Sequence, residues 1–217
     1  MSRIPTNRLE GDGVSILAGD NNTPNCRASR SDSGFGFAQT ARSTPPWLVL
    51  LSRRMIERTQ GDLLDAGVQA LVNTVNTVGI MGKGIALQFK KAFPENYSAY
   101  RKACAAGLVT IGRMFVHDLG VLASPRYIIN FPTKQHWRSK SKIADIKSGL
   151  TALVDEVQRL GIESIALPPL GCGHGGLEWS EVAPLIEKAF ADLPNVQVLV
   201  FEPADAPPPE AMPAPRC

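Results

Sequence analysis

The chain has 217 residues, 44% of them hydrophobic and 20% charged, with a formal net charge of +3. That is enough for one domain of ordinary size with residues to spare, and no apolar run approaches the roughly eighteen residues of a membrane span. The charge is too small to announce a nucleic-acid binder by itself, and the N-terminus lacks the basic start and apolar stretch of a secretory signal.

In chain order, residues 1–54 come first, and "GDNNTPNCRASRSDSGFGFAQTARSTPP" within them has no period of 2 or 3.6. This composition is expected to be disordered, or to reflect a gene start set too far upstream of Met55. The predicted domain covers 55–203. Its strands are 68–75, 126–132, 164–170 and 196–202, several of them apolar on both faces as strands covered by helices should be.

Helices follow the same rhythm. Ile85, Gln88, Phe89 and Phe93 line one after residue 84. Ile143, Ile146, Leu150, Leu153, Val154, Val157 and Leu160 share a face of 142–160. Val182, Leu185, Ile186, Ala189 and Leu193 do so over 180–193, with Ser180 as expected N-cap. Strand–helix alternation predicts an α/β class, a three-layer α/β/α domain with a mixed, largely parallel central sheet. The Pro/Ala-rich end, 204–217, is expected to be a tail or the start of a linker.

Two loops carry too many glycines for simple connectors. "GIMGKG" at 79–84 and "LGCGHGG" at 170–176 each leave a strand and precede a helix. Glycines let backbone N–H groups approach a ligand closely, and helix N-termini favour anions. Either loop alone reads as a tight turn; the pair, at one sheet edge, suits a diphosphate held from two sides. Neither fits GxGxxG nor GxxxxGK[ST].

Asn73 and Asn76 end a buried strand, where each amide needs partners or costs about 1–3 kcal/mol; shaping the turn would account for one of them. Asp62 suits a cap or turn as well as a ligand contact. Four scattered cysteines without CxxC spacing (Cys26, Cys104, Cys172, Cys217) argue against a disulfide framework or zinc site and fit a reducing cytoplasm. Three dispersed histidines supply no metal-ligand set.

"QGDLLDAGVQALVNTVNTVGIMGKGIALQFK" together with "LPPLGCGHGGLEW" resembles the macrodomain family of ADP-ribose binders, over roughly residues 55–202. "NTVNTVG-MGKGIALQFK" and "NFPTKQHWRSKS" look like its DNA ADP-ribosyl glycohydrolase branch, the DarG-type antitoxins, which is similar to the lysine-dependent human terminal ADP-ribose glycohydrolase. The resemblance implies removal of ADP-ribose from thymidine bases of single-stranded DNA, with a DarT-like toxin as partner and no cofactor. It implies that Asp62 accepts from the adenine amino group. Leu63, Asn73, Asn76, Gly79, Ile80, Met81, Gly82, Gly84 and Thr133 would join it along the ligand. Leu170, Gly171, Cys172, Gly173, Gly175 and Gly176 would wrap the diphosphate.

The same resemblance implies that Asn76 orients the substrate and that Lys134 is the catalytic lysine. It would attack the distal ribose, as a neutral amine favoured by burial, and form a covalent adduct. Relatives in the lysine-dependent group carry an acidic residue in the late loop where this chain has His174, so either His174 is the acid-base group or it is a solvated loop histidine. Antitoxins of this branch also continue into a further C-terminal domain.

Lys134 opens a basic run with His136, Arg138, Lys140, Lys142 and Lys147 around Trp137. Such a run is commonly a solvated face, but beside the catalytic lysine it suits a DNA strand, through His136, Trp137, Arg138 and Lys140. Lys83, inside the glycine loop, reads as a phosphate contact or, by preference, as an exposed lysine at a helix start. Met81 and Ile80 fit either ribose contact or core. Trp179, Phe89 and Tyr127 fit packing, and Cys172 a small filler without thiolate activation. A monomeric, cytoplasmic hydrolase is expected; a non-catalytic ADP-ribose reader, or a hydrolase of protein carboxylate esters or O-acyl-ADP-ribose, would use the same cleft.

Overall fold

The structure, a computed structural model, describes residues 55–204; the expectations for 1–54, for 205–217 and for Cys26 and Cys217 lie outside them. Six strands are β1 (Ile56–Thr59), β2 (Ala70–Asn76), β3 (Phe115–Asp118), β4 (Tyr127–Lys134), β5 (Ser164–Leu167) and β6 (Gln197–Phe201). Four α-helices are α1 (Gly84–Ala92), α2 (Pro94–Ala105), α3 (Ile143–Leu160) and α4 (Trp179–Phe190).

The sheet order is β1-β6-β5-β2-β4-β3. All neighbours pair parallel except β3, which runs antiparallel to β4 at the edge. Successive strand side chains point to opposite faces, and the core divides accordingly. Val72, Ile129, Phe131, Ile165, Leu167, Val198 and Val200 pack with Ile146, Leu150, Leu153 and Val157 of α3 and Val182, Ile186 and Phe190 of α4. On the other face Leu71, Ile128, Ala166 and Phe201 pack with Phe89 of α1, and Val75 with Met81 and with Tyr100 and Ala103 of α2. The layers are those expected from the alternation of strands and helices.

Several local expectations shift. β4 runs two residues further, through Lys134, whereas β5 stops at Leu167 before Pro168 and Pro169. α4 begins at Trp179 behind Glu178, so Ser180 lies inside the helix and caps nothing. β1 and β3, of four residues each, and α2 were not foreseen. Pro132 is tolerated in β4 because β3 has ended by then, its last pair being Phe115 with Asn130; no ladder bond on that side needs the missing N–H.

α3 approaches the sheet closely at Gly149, where an added Cβ would run into the Phe131 ring. Gly149→Ala should therefore destabilise the domain by about 1–3 kcal/mol through overpacking, measured as a lower denaturation midpoint; an unchanged midpoint would show that the ring yields freely.

Candidate functional site

The parallel strands all deliver their carboxyl ends to one edge, and a cleft of about 970 Å³ opens there. That is the size range of nucleotide and cofactor sites. Its walls are the loop before α1 (Gly82, Lys83, Gly84), the late loop (Gly171, Gly173, His174, Gly175) and the segment after β4 (Lys134, Trp137, Arg138). Asp62, Leu63, Phe201 and Glu202 line another part of the wall, and Asn76, Ile80 and Thr133 a further one.

The loop before α1 is shaped by Asn76. Its Oδ1 accepts from the backbone N–H of Val78 at 3.0 Å and of Ile80 at 3.3 Å, while its Nδ2 donates to the Ile80 carbonyl at 2.6 Å. One amide thus folds the turn that carries the chain from β2 into the glycine loop. Gly79 adopts φ 80° and Gly84 φ 57°, in the region where a Cβ is strained. Lys83 precedes α1 without a side-chain cap, so the first N–H groups of the helix stay free of capping partners beside the cleft.

The late loop is held from below. A Cβ at Gly175 would collide with the Gly171 carbonyl and the Ser141 hydroxyl, so only glycine fits. The Ser141 N–H donates to the Gly175 carbonyl at 3.0 Å, and Lys134 Nζ donates to the His174 carbonyl at 3.0 Å. Both ends of the 134–141 segment therefore clasp this loop. The His174 ring rests against the start of α1, where a Cβ on Gly84 would meet its Cδ2 at 3.4 Å.

A slip of register brings the two central residues together. β2 and β4 pair in step up to Val75 with Pro132, after which Asn76 pairs with Lys134 rather than with Thr133. Thr133 Oγ1 lies 3.4 Å from the Val75 carbonyl, to which it donates. Bulges of this kind re-aim side chains at functional edges. Burial pulls the Lys134 ammonium below the ordinary lysine range, because desolvation disfavours the charged form.

Not every residue singled out in the sequence reaches the cleft. Asn73 is fully buried, donating to Asn130 Oδ1 at 3.0 Å, and Asn130 in turn donates to Asn96 Oδ1 at 2.7 Å. Met81 packs in the core, Gly79, Leu170 and Cys172 lie outside the lining, and Gly176 is exposed away from it. Burial, with the Glu178 charge nearby, pushes the Cys172 thiol up to about 12, which leaves no thiolate near neutral pH. Asp62 lines the cleft while also accepting from the Leu64 N–H at 2.9 Å. His136 and Lys140 are exposed outside the lining. Trp137, at the mouth, has the Arg138 guanidinium 4.4 Å from its ring centre and the His136 ring at 5.3 Å.

Lys83, read from the sequence by preference as an exposed helix-start lysine, lines the cleft, and the structure adds residues not placed at the site by sequence reasoning: Gln88, Pro168, Pro169, Phe201 and Glu202 in the lining, and Tyr100 beneath it. Only proximity to the loops could have flagged the first three. Glu202 is held by the Arg58 guanidinium at 3.3 Å and by Trp179 Nε1 at 3.4 Å. Among the described residues no three His, Cys, Asp or Glu side chains gather as metal ligands, and no helix is long and apolar enough to cross a membrane.

A mostly parallel sheet between two pairs of helices, with an elongated cleft between glycine loops at its carboxyl edge, is the arrangement of a macrodomain. The chain belongs to that family: the Macro domain model matches residues 72–186. Within it the chain is similar to the DNA ADP-ribosyl glycohydrolase of Thermus aquaticus, 58% identical over 153 residues, which make up 70% of this chain and 42% of that protein. It spans less than half the length of that relative. The solved macrodomain of Thermus aquaticus DarG matches with a TM-score of 0.67 at 59% identity, over 68% of this chain and 98% of that one. Thermosipho africanus DarTG in complex with ADP-ribose matches with a TM-score of 0.66 at 35% identity, over 73% and 44% respectively.

The lowered Lys134 amine gives a direct check. A folded pKa below the unfolded one means that the unfolded chain binds the extra proton between the two, so this group's contribution to stability rises with pH across that window. After reductive methylation, the Lys134 resonance should titrate at lower pH in heteronuclear NMR spectra of the folded protein than in the unfolded chain; coincident titration would show an unperturbed amine.

Proposed function

We propose that this domain removes ADP-ribose from thymidine bases in single-stranded DNA, with Lys134 as nucleophile. The observation that carries this reading is the pairing of Asn76 with Lys134 on the cleft edge, between two glycine loops suited to a diphosphate. A reader of ADP-ribose needs the loops but has no use for a partly desolvated amine there. The similarity to a protein named DNA ADP-ribosyl glycohydrolase and to a DarTG structure containing ADP-ribose supports the same assignment.

In this reading the adenine end lies by Asp62 and Leu63, and the diphosphate between the loop before α1 and Gly171–Gly175. Asn76 holds the distal ribose. The neutral Lys134 amine leaves the His174 carbonyl and donates its lone pair to the anomeric carbon as the bond to the thymine nitrogen breaks. The base takes a proton as it leaves, and a water then displaces the lysine, releasing ADP-ribose and regenerating the amine. His174, beside the lysine, carries protons between these steps. Because the neutral amine is the reactive form, the rate rises with pH through the lowered pKa of Lys134 and then levels off.

Trp137 and Arg138 at the mouth, with His136 and Lys140 beyond, receive the flanking strand. A cytoplasmic protein acting on DNA modified by a DarT-like transferase fits this chemistry, and a monomer suffices for it.

An oligonucleotide bearing ADP-ribose on thymidine tests the assignment. Wild type should release ADP-ribose and Lys134→Ala should not, although both bind free ADP-ribose with similar affinity. Binding by both without release would make the domain a reader, and release from modified protein carboxylates alone would move the substrate.

Trp137→Ala should weaken the modified oligonucleotide by about 1–3 kcal/mol, the worth of one stacked base, and leave free ADP-ribose affinity unaltered. Equal weakening of both ligands in parallel titrations would place Trp137 in the ADP-ribose site instead.

A further inference from the structure

Tyr100 lies outside the cleft, fully buried on α2. Its hydroxyl donates to the Asn76 carbonyl at 2.6 Å and approaches Asn76 Oδ1 at 3.3 Å. One phenolic hydrogen thus serves both the main chain and the side chain of the same residue. The hydroxyl thus ties α2 to the end of β2, the strand that runs into the glycine loop. Burial holds the phenol far above the usual tyrosine range, and it remains a donor throughout the working pH range.

The consequence for Asn76 follows from counting donors and acceptors. Oδ1 faces the Val78 N–H, the Ile80 N–H and the Tyr100 hydroxyl, so rotating the amide by half a turn would set its NH2 against two backbone N–H donors and its oxygen against the Ile80 carbonyl. The orientation is therefore unique. Nδ2 spends one hydrogen on the Ile80 carbonyl, and its second is the group's only unspent bonding capacity. Asn76 meets a ligand solely as a donor, from a position fixed at the end of β2 beside Lys134.

We infer that Tyr100 is a positioning residue of this site, which acts through Asn76 to aim that single N–H at an oxygen of the distal ribose and so set the anomeric carbon before Lys134. This rests on the glycohydrolase reading. The adenine end, by Asp62 and Leu63, lies elsewhere along the cleft and does not pass through Tyr100.

The test is a double-mutant cycle of Tyr100→Phe and Asn76→Ala, with turnover of the ADP-ribosylated oligonucleotide, affinity for free ADP-ribose and melting temperature read for each protein. Tyr100→Phe keeps the ring that fills the core and removes only the hydroxyl. The expected result is a fall in kcat of about tenfold, the worth of a hydrogen bond of ordinary net strength, with KM and ADP-ribose affinity little changed. Adding Tyr100→Phe to Asn76→Ala should cost no more than Asn76→Ala alone. A loss of kcat that adds fully to that of Asn76→Ala, or a kcat equal to wild type, would overturn the role. Turnover by wild type that disappears in Lys134→Ala separates these outcomes from failure of the hydrolase reading itself, which would show as no release by wild type and would take the catalytic half of this inference with it.

Discussion

A single slip in the pairing of β2 with β4 sets what the cleft can do. Up to Val75 the two strands run in step, and one residue later Asn76 lies beside Lys134. In continuous register Asn76 would have met Thr133, and Lys134 would have had no strand partner at this edge. The bulge is made possible by neighbours of small demands: Pro132, with no N–H, asks for no acceptor on its β3 side, and Thr133 supplies a hydroxyl to the Val75 carbonyl. An amide and an amine far apart in sequence become adjacent because of it.

Polar groups within the apolar layer between the sheet and α2 extend this control inward. Asn73, Asn130 and Asn96 form one chain of buried amides, and Tyr100 with Asn76 forms another. A buried amide is tolerable only when its bonds are made, so these contacts demand a particular placement of α2 against β2 and β4. The Asn73 Oδ1, buried without a protein partner, is the one member of the chain left short. Precision at the strand end is thereby tied to the sheet, while the glycine loops around it keep their backbone N–H groups close to any ligand.

Much of this was legible in the chain. Residues with strong periodicity, such as Ile146, Leu150, Leu153 and Val157, lie on the buried face of α3 as their spacing demands. The two glycine loops stand at strand-to-helix junctions on one edge, where an open α/β sheet binds its ligands. What escaped was weakly patterned. β1 and β3 are too short for alternation to register. α2 carries Glu95, Asn96, Arg101 and Lys102 among its apolar residues, and two of its buried side chains, Asn96 and Tyr100, are polar. Ser180 had the chemistry of a cap, yet the helix had already begun at Trp179, because the Trp179 ring is buried in the core on that turn.

Asn73 and Asn76 mark the limit most clearly. They are the same residue type on one strand, and sequence gave equal reason to place either in the cleft. The sequence by itself determined the layers, the edge at which a ligand lies and the chemistry available there, because hydrophobic period and glycine content are local properties of a few consecutive residues. Only the tertiary structure decided that Asn73 turns to Asn130 and Asn76 to the cleft, that Met81 packs in the core while Ile80 lines the wall, and that Tyr100 holds Asn76 from behind. Those choices depend on strand register and on a helix laid across the sheet, and both are fixed by contacts among residues distant in the chain.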